Sequence, residues 1–140
     1  LLIGAVLVPG AKAPTVVSEK MIRSMHSGAV IVDVAIDQGG CIWGAKPTTH
    51  RSPRYERAGK IFCCITNMPG QVSRQSTQAI TNATLPYIVK MATGGIIPMV
   101  RKHRALTLCL NTHAGYLTYE RVAKDLHMEN HYRSPEEVLK

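Results

Sequence analysis

Residues Ala29 to Ile36 read AVIVDVAI, a run that is apolar everywhere except at Asp33. A short run without alternation is the mark of a strand covered on both faces, as in parallel sheets. A second apolar run, Leu1 to Val8, precedes it and is cut by Pro9-Gly10. Between the two, Ser18 fits an N-cap and Glu19 suits the first turn of a helix. Val17, Met21 and Met25 then repeat at i, i+4 with Ile22 beside them, one apolar helix face. Gly28 is placed to end that helix. Strand, helix, strand is a βαβ unit, whose two strands run parallel. Lys60 to Thr66 (KIFCCIT) reads as a third strand, ended by Asn67-Met68-Pro69-Gly70. The expectation is an α/β fold with parallel strands over residues 1–8, 29–36 and 61–66.

The intervening residues 38–60 show no period and read as mostly irregular. From Ser73 to about Ala92 the pattern turns helical, with Ala79, Ala83, Tyr87 and Met91 stacked at i, i+4. Ile80, Thr84 and Ile88 lie beside that row. Pro86 predicts a kink or a split in this helix, and Gly94-Gly95 its end. A weaker helix is expected over Pro98 to Leu106. Leu108–Leu110 and Tyr116–Thr118 flank Asn111 to Gly115 as a hairpin with a longer loop. Thr118 is expected to cap a last helix with Val122, Ala123 and Leu126 on its apolar face. The tail from His127 is polar and reads as weakly structured.

Composition narrows the function classes. Of 140 residues, 45% are hydrophobic and 19% charged, as in ordinary globular proteins. No run of about 18 apolar residues exists, so no membrane span is expected. The net charge of +8 permits nucleic-acid binding. The basic residues are scattered, however, and only Arg101, Lys102 and Arg104 cluster, without a nucleic-acid fold motif, so no such partner is expected. Cys41, Cys63, Cys64 and Cys109 form no C-x-x-C pair, and neither a zinc site nor any other metal is expected. Asn82-Ala83-Thr84 matches a glycosylation acceptor but reads better as helix. The chain opens without Met inside an apolar run, which is what a partial chain would show.

The chemistry is expected at the strand ends. The first strand ends Val8-Pro9-Gly10-Ala11-Lys12, the second Asp37-Gln38-Gly39-Gly40 and the third Asn67-Met68-Pro69-Gly70. Open α/β sheets bind ligands outside the carboxyl ends of their strands, and glycines there admit a close approach. Asp37 and Asn67 can then face one bound molecule; both types are also common turn residues, and spacing alone leaves the two roles open. Asp33, inside a strand, reads as a hydrogen-bonded interior carboxylate. No G-x-G-x-x-G occurs, so a pyrophosphate loop, if the chain binds a dinucleotide, is expected upstream of Leu1.

Five segments together resemble bacterial alanine dehydrogenase: Gly4 to Pro14 (GAVLVPGAKAP), Val32 to Cys41 (VDVAIDQGGC), Pro47 to His50 (PTTH), Asn67 to Gly70 (NMPG) and Ser76 to Tyr87 (STQAITNATLPY). That family converts L-alanine, NAD and water to pyruvate, NADH and ammonium. The resemblance implies part of a Rossmann-type doubly wound parallel sheet, followed by C-terminal helices that pack on a second, substrate domain. Residues 1–70 would be the C-terminal half of the NAD-binding domain. Residues 71–140 would be the interdomain helix and a helical segment of the substrate domain. It further implies Asp37 as the catalytic aspartate. Val6, Leu7, Val34, Ala35, Ile36, Asp37, Lys46, Ile65, Thr66, Asn67 and Met68 would be cofactor contacts. The implied enzyme is a cytoplasmic homohexamer acting on L-alanine and pyruvate, its substrate side chains lying upstream. Departures are Lys46 where the family has Arg, Trp43 near its usual acidic residue, Gln71 and Ser73 for small and proline residues, and Pro98. Lys46 keeps the charge but not the bidentate fork. The NAD-binding subunit of proton-translocating transhydrogenase is similar here, but typically carries Glu-Gln-Gly-Gly-Asn at residues 37–41. A non-catalytic interaction module is the alternative of another class.

Overall fold

The three apolar runs become parallel strands, each shorter than its run. The computed structural model describes residues 1–140 and divides into two units, Leu1–Gln71 and Val72–Lys140. In the first unit, β1 (Leu2–Gly4), β2 (Val30–Asp33), β3 (Arg54–Arg57) and β4 (Lys60–Cys63) form one sheet in the order β1-β2-β4-β3. β1 pairs parallel with β2 (Ile3 opposite Val32) and β2 parallel with β4 (Ile31 opposite Phe62). β3, expected to be irregular, instead pairs antiparallel with β4 through a tight turn at Ala58-Gly59.

The core lies on one face of this sheet. Ile31 and Phe62 point into it fully buried, and Ile22, Ile36, Cys41, Ile42 and Cys64 pack against them. Full burial of a side chain such as Ile22, Ile31 or Phe62 stabilises by roughly 1.5–3 kcal/mol. Tyr55 of β3 stacks on Phe62 of β4 with ring centroids 5.2 Å apart. Gly4 has no room for a side chain, because a Cβ there would lie 2.6 Å from Cys41 Sγ. The opposite face corrects the expectation of cover on both sides: Ile3 is 58% and Val30 37% exposed.

α1 (Glu19–Ser24) starts at Ser18 as read, whose hydroxyl accepts the Met21 N–H, and Glu19 pairs with Arg23 at 2.6 Å. It ends at Ser24, before Gly28, and only Ile22 of its apolar residues is buried. β2 also stops short of its run. The Asp33 carboxylate accepts the Ala35 N–H and bends Val34–Gln38 into a 3-10 helix.

The second unit begins with α2 (Ser73–Gly94), a single helix that runs through Pro86 unsplit. Gly95, at φ 80°, turns the chain by 118° into α3 (Ile96–Lys102). A break at His103 then starts α4 (Arg104–Leu108), so the expected helix over 98–106 is two short ones. Val100, Leu106 and Leu139 form this unit's small core. The hairpin is tighter than read: β5 (Thr112–His113) and β6 (Tyr116–Leu117) are joined by Ala114-Gly115 alone. Thr118 does not cap α5 (Glu120–Asp125); its hydroxyl donates to the Leu110 carbonyl at 2.6 Å. The tail is not loose either, since Ser134 and Glu137 make a reciprocal cap on α6 (Pro135–Val138). No single helix is long and apolar enough to cross a membrane; α2 and α3 meet that test only together, across their bend.

Candidate active site

Asp33 builds the floor of the site. It is fully buried, and its two oxygens accept the N–H groups of Ala35 (3.0 Å), Cys41 (2.8 Å) and Ile42 (3.1 Å), with the Cys41 thiol donating at 3.4 Å. These bonds fold residues 33–42 into a closed loop at the carboxyl end of β2. Gly39 and Gly40 complete it at φ 93° and 80°, a region costly for side-chain-bearing residues. A Cβ on Gly39 would also strike Lys12 Cε at 2.6 Å, so the segment after β1 lies directly over this loop. The Ala13 N–H donates to the Gln38 carbonyl across the same contact, 2.9 Å.

Between the ends of β1 and β2 lies a cavity of about 320 Å³ lined by Ala5, Val6, Leu7, Val34, Ala35, Asp37 and Gln38. Its walls are aliphatic and its single charged group is the Asp37 carboxylate. Gln38 Oε1 is buried without a partner. An orphaned buried acceptor is rare in folded proteins, and a donor brought by a bound molecule would satisfy it. An apolar slot with a few polar groups suits a flat heteroaromatic ring carrying an amide, so the residues present fit a nicotinamide.

The end of β4 approaches from the other side. Asn67 sits at φ 53°, and its N–H donates to Asp37 Oδ2 at 3.4 Å across thirty residues of sequence. The left-handed conformation is one that Asn tolerates better than most residues. Before it, Ile65 bridges Thr48 in parallel and the Thr66 N–H donates to the Thr48 carbonyl. Met68 opens a 3-10 turn, Met68–Val72.

Of the residues expected from the sequence, Val6, Leu7, Val34, Ala35 and Asp37 share the cavity wall, and Asn67 is bonded to Asp37. Ile36 instead turns inward to the core at 4% exposure. Ile65, Thr66, Met68 and Lys46 do not line the cavity. Lys46 is exposed, and its backbone N–H donates to the Tyr55 hydroxyl, which itself donates to the Gly44 carbonyl. Sequence reasoning did not single out Ala5 and Gln38, although both adjoin residues it named. It gave His50 no role beyond its motif. His50 contacts Asn67 and Gln71, a pairing that no spacing rule announces.

The thiols near the site are not poised as nucleophiles. Burial pushes Cys41 above its ordinary range, the Val6 backbone opposing this and Asp33 adding to it. Burial likewise raises Cys64, with the Tyr55 hydroxyl opposing. A protonated, buried thiol is inert.

Known proteins resemble this chain in sequence and fold. The family described as "Alanine dehydrogenase/PNT, C-terminal domain" matches residues 1–120. The alanine dehydrogenase of Mycobacterium tuberculosis is 51% identical over 126 residues, covering 90% of this chain and 34% of that protein. A solved L-alanine dehydrogenase superposes with TM-score 0.75 at 44% identity, covering 90% of this chain and 35% of the other. A transhydrogenase from Sinorhizobium meliloti is more distant, with TM-score 0.58 and 26% identity over 71% of this chain and 27% of the other. The chain thus spans about a third of the length of the curated relatives it matches.

Proposed function

Because the chain belongs to the alanine dehydrogenase/PNT C-terminal domain family, we propose that it is the nicotinamide-side portion of an NAD-dependent alanine dehydrogenase, which interconverts L-alanine with pyruvate and ammonium. The observation that carries this reading is the meeting of Asp37 and Asn67 beside an aliphatic cavity at the ends of parallel strands. When bound, NAD supplies the hydride acceptor. Val6, Leu7, Val34 and Ala35 would hold its nicotinamide side, with Ile36, Ile65, Thr66, Met68 and Lys46 as further contacts. The protein's own part is to orient, exclude water and move protons.

Asp37 has the position for proton handling. Oxidative deamination needs a group that takes a proton from the amine or from an attacking water, and a carboxylate at the mouth of the slot can do either. The Asn67 N–H holds one carboxylate oxygen and so fixes which way the group faces. In the same reading, residues 71–140 are the interdomain helix and part of a substrate domain. The full enzyme is a cytoplasmic homo-oligomer with its alanine-binding side chains elsewhere in the protein.

The test is Asp37→Asn in the full-length protein. Asn keeps size and one acceptor but cannot exchange a proton at neutral pH. The expected outcome is a kcat about 10²–10⁴-fold lower with NAD affinity nearly unchanged. A turn-stabilising role predicts otherwise, because Asn is as good a turn residue as Asp. A kcat within about threefold of the parent, far below the acid–base range, removes Asp37 from catalysis.

A further inference from the structure

A chain of hydrogen bonds leads from an exposed histidine to the proposed proton-handling group. His50 Nε2 lies 3.2 Å from the Asn67 carbonyl oxygen, and His50 Nδ1 lies 2.6 Å from Gln71 Nε2. A carbonyl only accepts and an amide NH2 only donates. One ring form satisfies both contacts: neutral, with the proton on Nε2. Nε2–H then donates to Asn67, and Nδ1 accepts from Gln71. The Gly70 N–H donates to the same Asn67 carbonyl at 2.9 Å. A Cβ on Gly70 would come within 3.2 Å of Asn67 Nδ2 and 3.4 Å of His50 Nε2, so the cluster is closely packed. Asn67 is thereby held by its carbonyl in the left-handed conformation, while its N–H reaches Asp37 Oδ2.

We propose that His50, fixed in one tautomer by Gln71, is a positioning residue for the reaction: it clamps the Asn67 turn that aims Asp37. This rests on the reading of Asp37 as the proton-handling group. His50 does not line the cavity and acts through Asn67. Its removal therefore lets the turn relax and Asp37 lose its fixed orientation, without emptying the cofactor slot.

The experiment compares the parent full-length protein with His50→Ala, His50→Gln and Gln71→Ala, each with and without Asp37→Asn. The readouts are kcat and KM for alanine and NAD. His50→Ala is expected to lower kcat about two- to tenfold, the range of one net hydrogen bond, with KM for NAD little changed. His50→Gln, whose amide can donate to the Asn67 carbonyl, is expected to recover most of that loss. In the Asp37→Asn background His50→Ala should cost nothing more, because coupled residues are not additive. Equal losses in both backgrounds, or a parent-like kcat for His50→Ala, overturn the proposal. If His50→Ala does not fold, Gln71→Ala carries the test together with nitrogen-15 spectra of the ring. The parent should show the Nε2–H form alone, and the variant a mixture with lower kcat. A mixed parent or an unaffected variant overturns the clamp. A parent-like kcat for Asp37→Asn defeats the functional reading instead, so the two failures are separable.

Discussion

Asp33 and Asp37 stand four positions apart and divide the labour of one loop. Asp33 is buried under three backbone N–H groups and a thiol, while Asp37 is exposed at the slot. Asp33→Asn should therefore be a folding lesion. One amide NH2 would have to face backbone donors, leaving buried N–H groups unmatched at about 1–3 kcal/mol each. The expected outcome is a fall in unfolding free energy of at least about 2 kcal/mol by this count, read as a lower urea midpoint. A variant as stable as the parent would mean that Asp33 does not organise the loop. That Asp33 is the interior, hydrogen-bonded carboxylate was legible because it lies within an apolar run, whereas Asp37 stands beside glycines. The sequence could not show that Asp33 bends the chain at Val34, since a side chain accepting a backbone N–H two residues on leaves no trace in periodicity. The burial of Ile36 was hidden for that reason: the 3-10 turn rotates its side chain into the core.

At the level of elements, the parallel direction of β1, β2 and β4 was legible because their runs are apolar and β1, α1 and β2 form a βαβ unit. β3 was not. Its residues Arg54-Tyr-Glu-Arg57 are mostly polar, and its turn is Ala58-Gly59, with Ala58 at φ 52° where Asn or Asp is the usual signal. The Ala114-Gly115 turn hid the tightness of the second hairpin in the same way. β3 nonetheless contributes the Tyr55 hydroxyl that ties down Gly44 and Lys46. Burial, then the neighbouring Cys64, push Tyr55 up to about 12. In the unfolded chain Tyr loses its proton near pH 10. The folded state thus binds the proton more tightly. Its contribution is fully present below about pH 10, declines as pH rises and is gone once the folded hydroxyl ionises near 12. Tyr55→Phe should start less stable, having lost the acceptor for the Lys46 N–H, but its urea midpoint should fall less steeply than the parent's above about pH 10. Parallel slopes for the two proteins across that window would refute the assignment. The Cys41 thiol titrates in both and cancels; the Cys64 thiol contacts the Tyr55 hydroxyl and does not, so both proteins are compared in a Cys64→Ala background.

The whole molecule is unevenly covered. The sheet buries the face with Ile31 and Phe62, whereas Leu1, Ile3 and Val30 on or beside the other remain exposed at 82%, 58% and 37%. Parallel sheets are ordinarily covered on both sides. In the second unit, α2 has no buried residue and exposes Ile80, Leu85, Tyr87, Ile88 and Val89. Exposed apolar side chains in this number mark an interaction site or an aggregation liability. The edge strand β1 adds unpaired backbone groups. Within its 140 residues the sequence also has no G-x-G-x-x-G to hold a pyrophosphate. These features lead to one prediction for the 140 residues produced alone. They should reduce no NAD in the presence of L-alanine, bind an apolar fluorescent dye strongly and associate on gel filtration. The full-length protein should reduce NAD with L-alanine and bind the dye only weakly. Both arms are needed, because lost turnover alone could reflect misfolding, whereas dye binding with strand and helix signals intact reports the uncovered faces. A well-behaved monomer that turns over alanine would show that Asp37 and the slot suffice without the remaining protein, and the assignment of substrate and phosphate binding to other segments would fall.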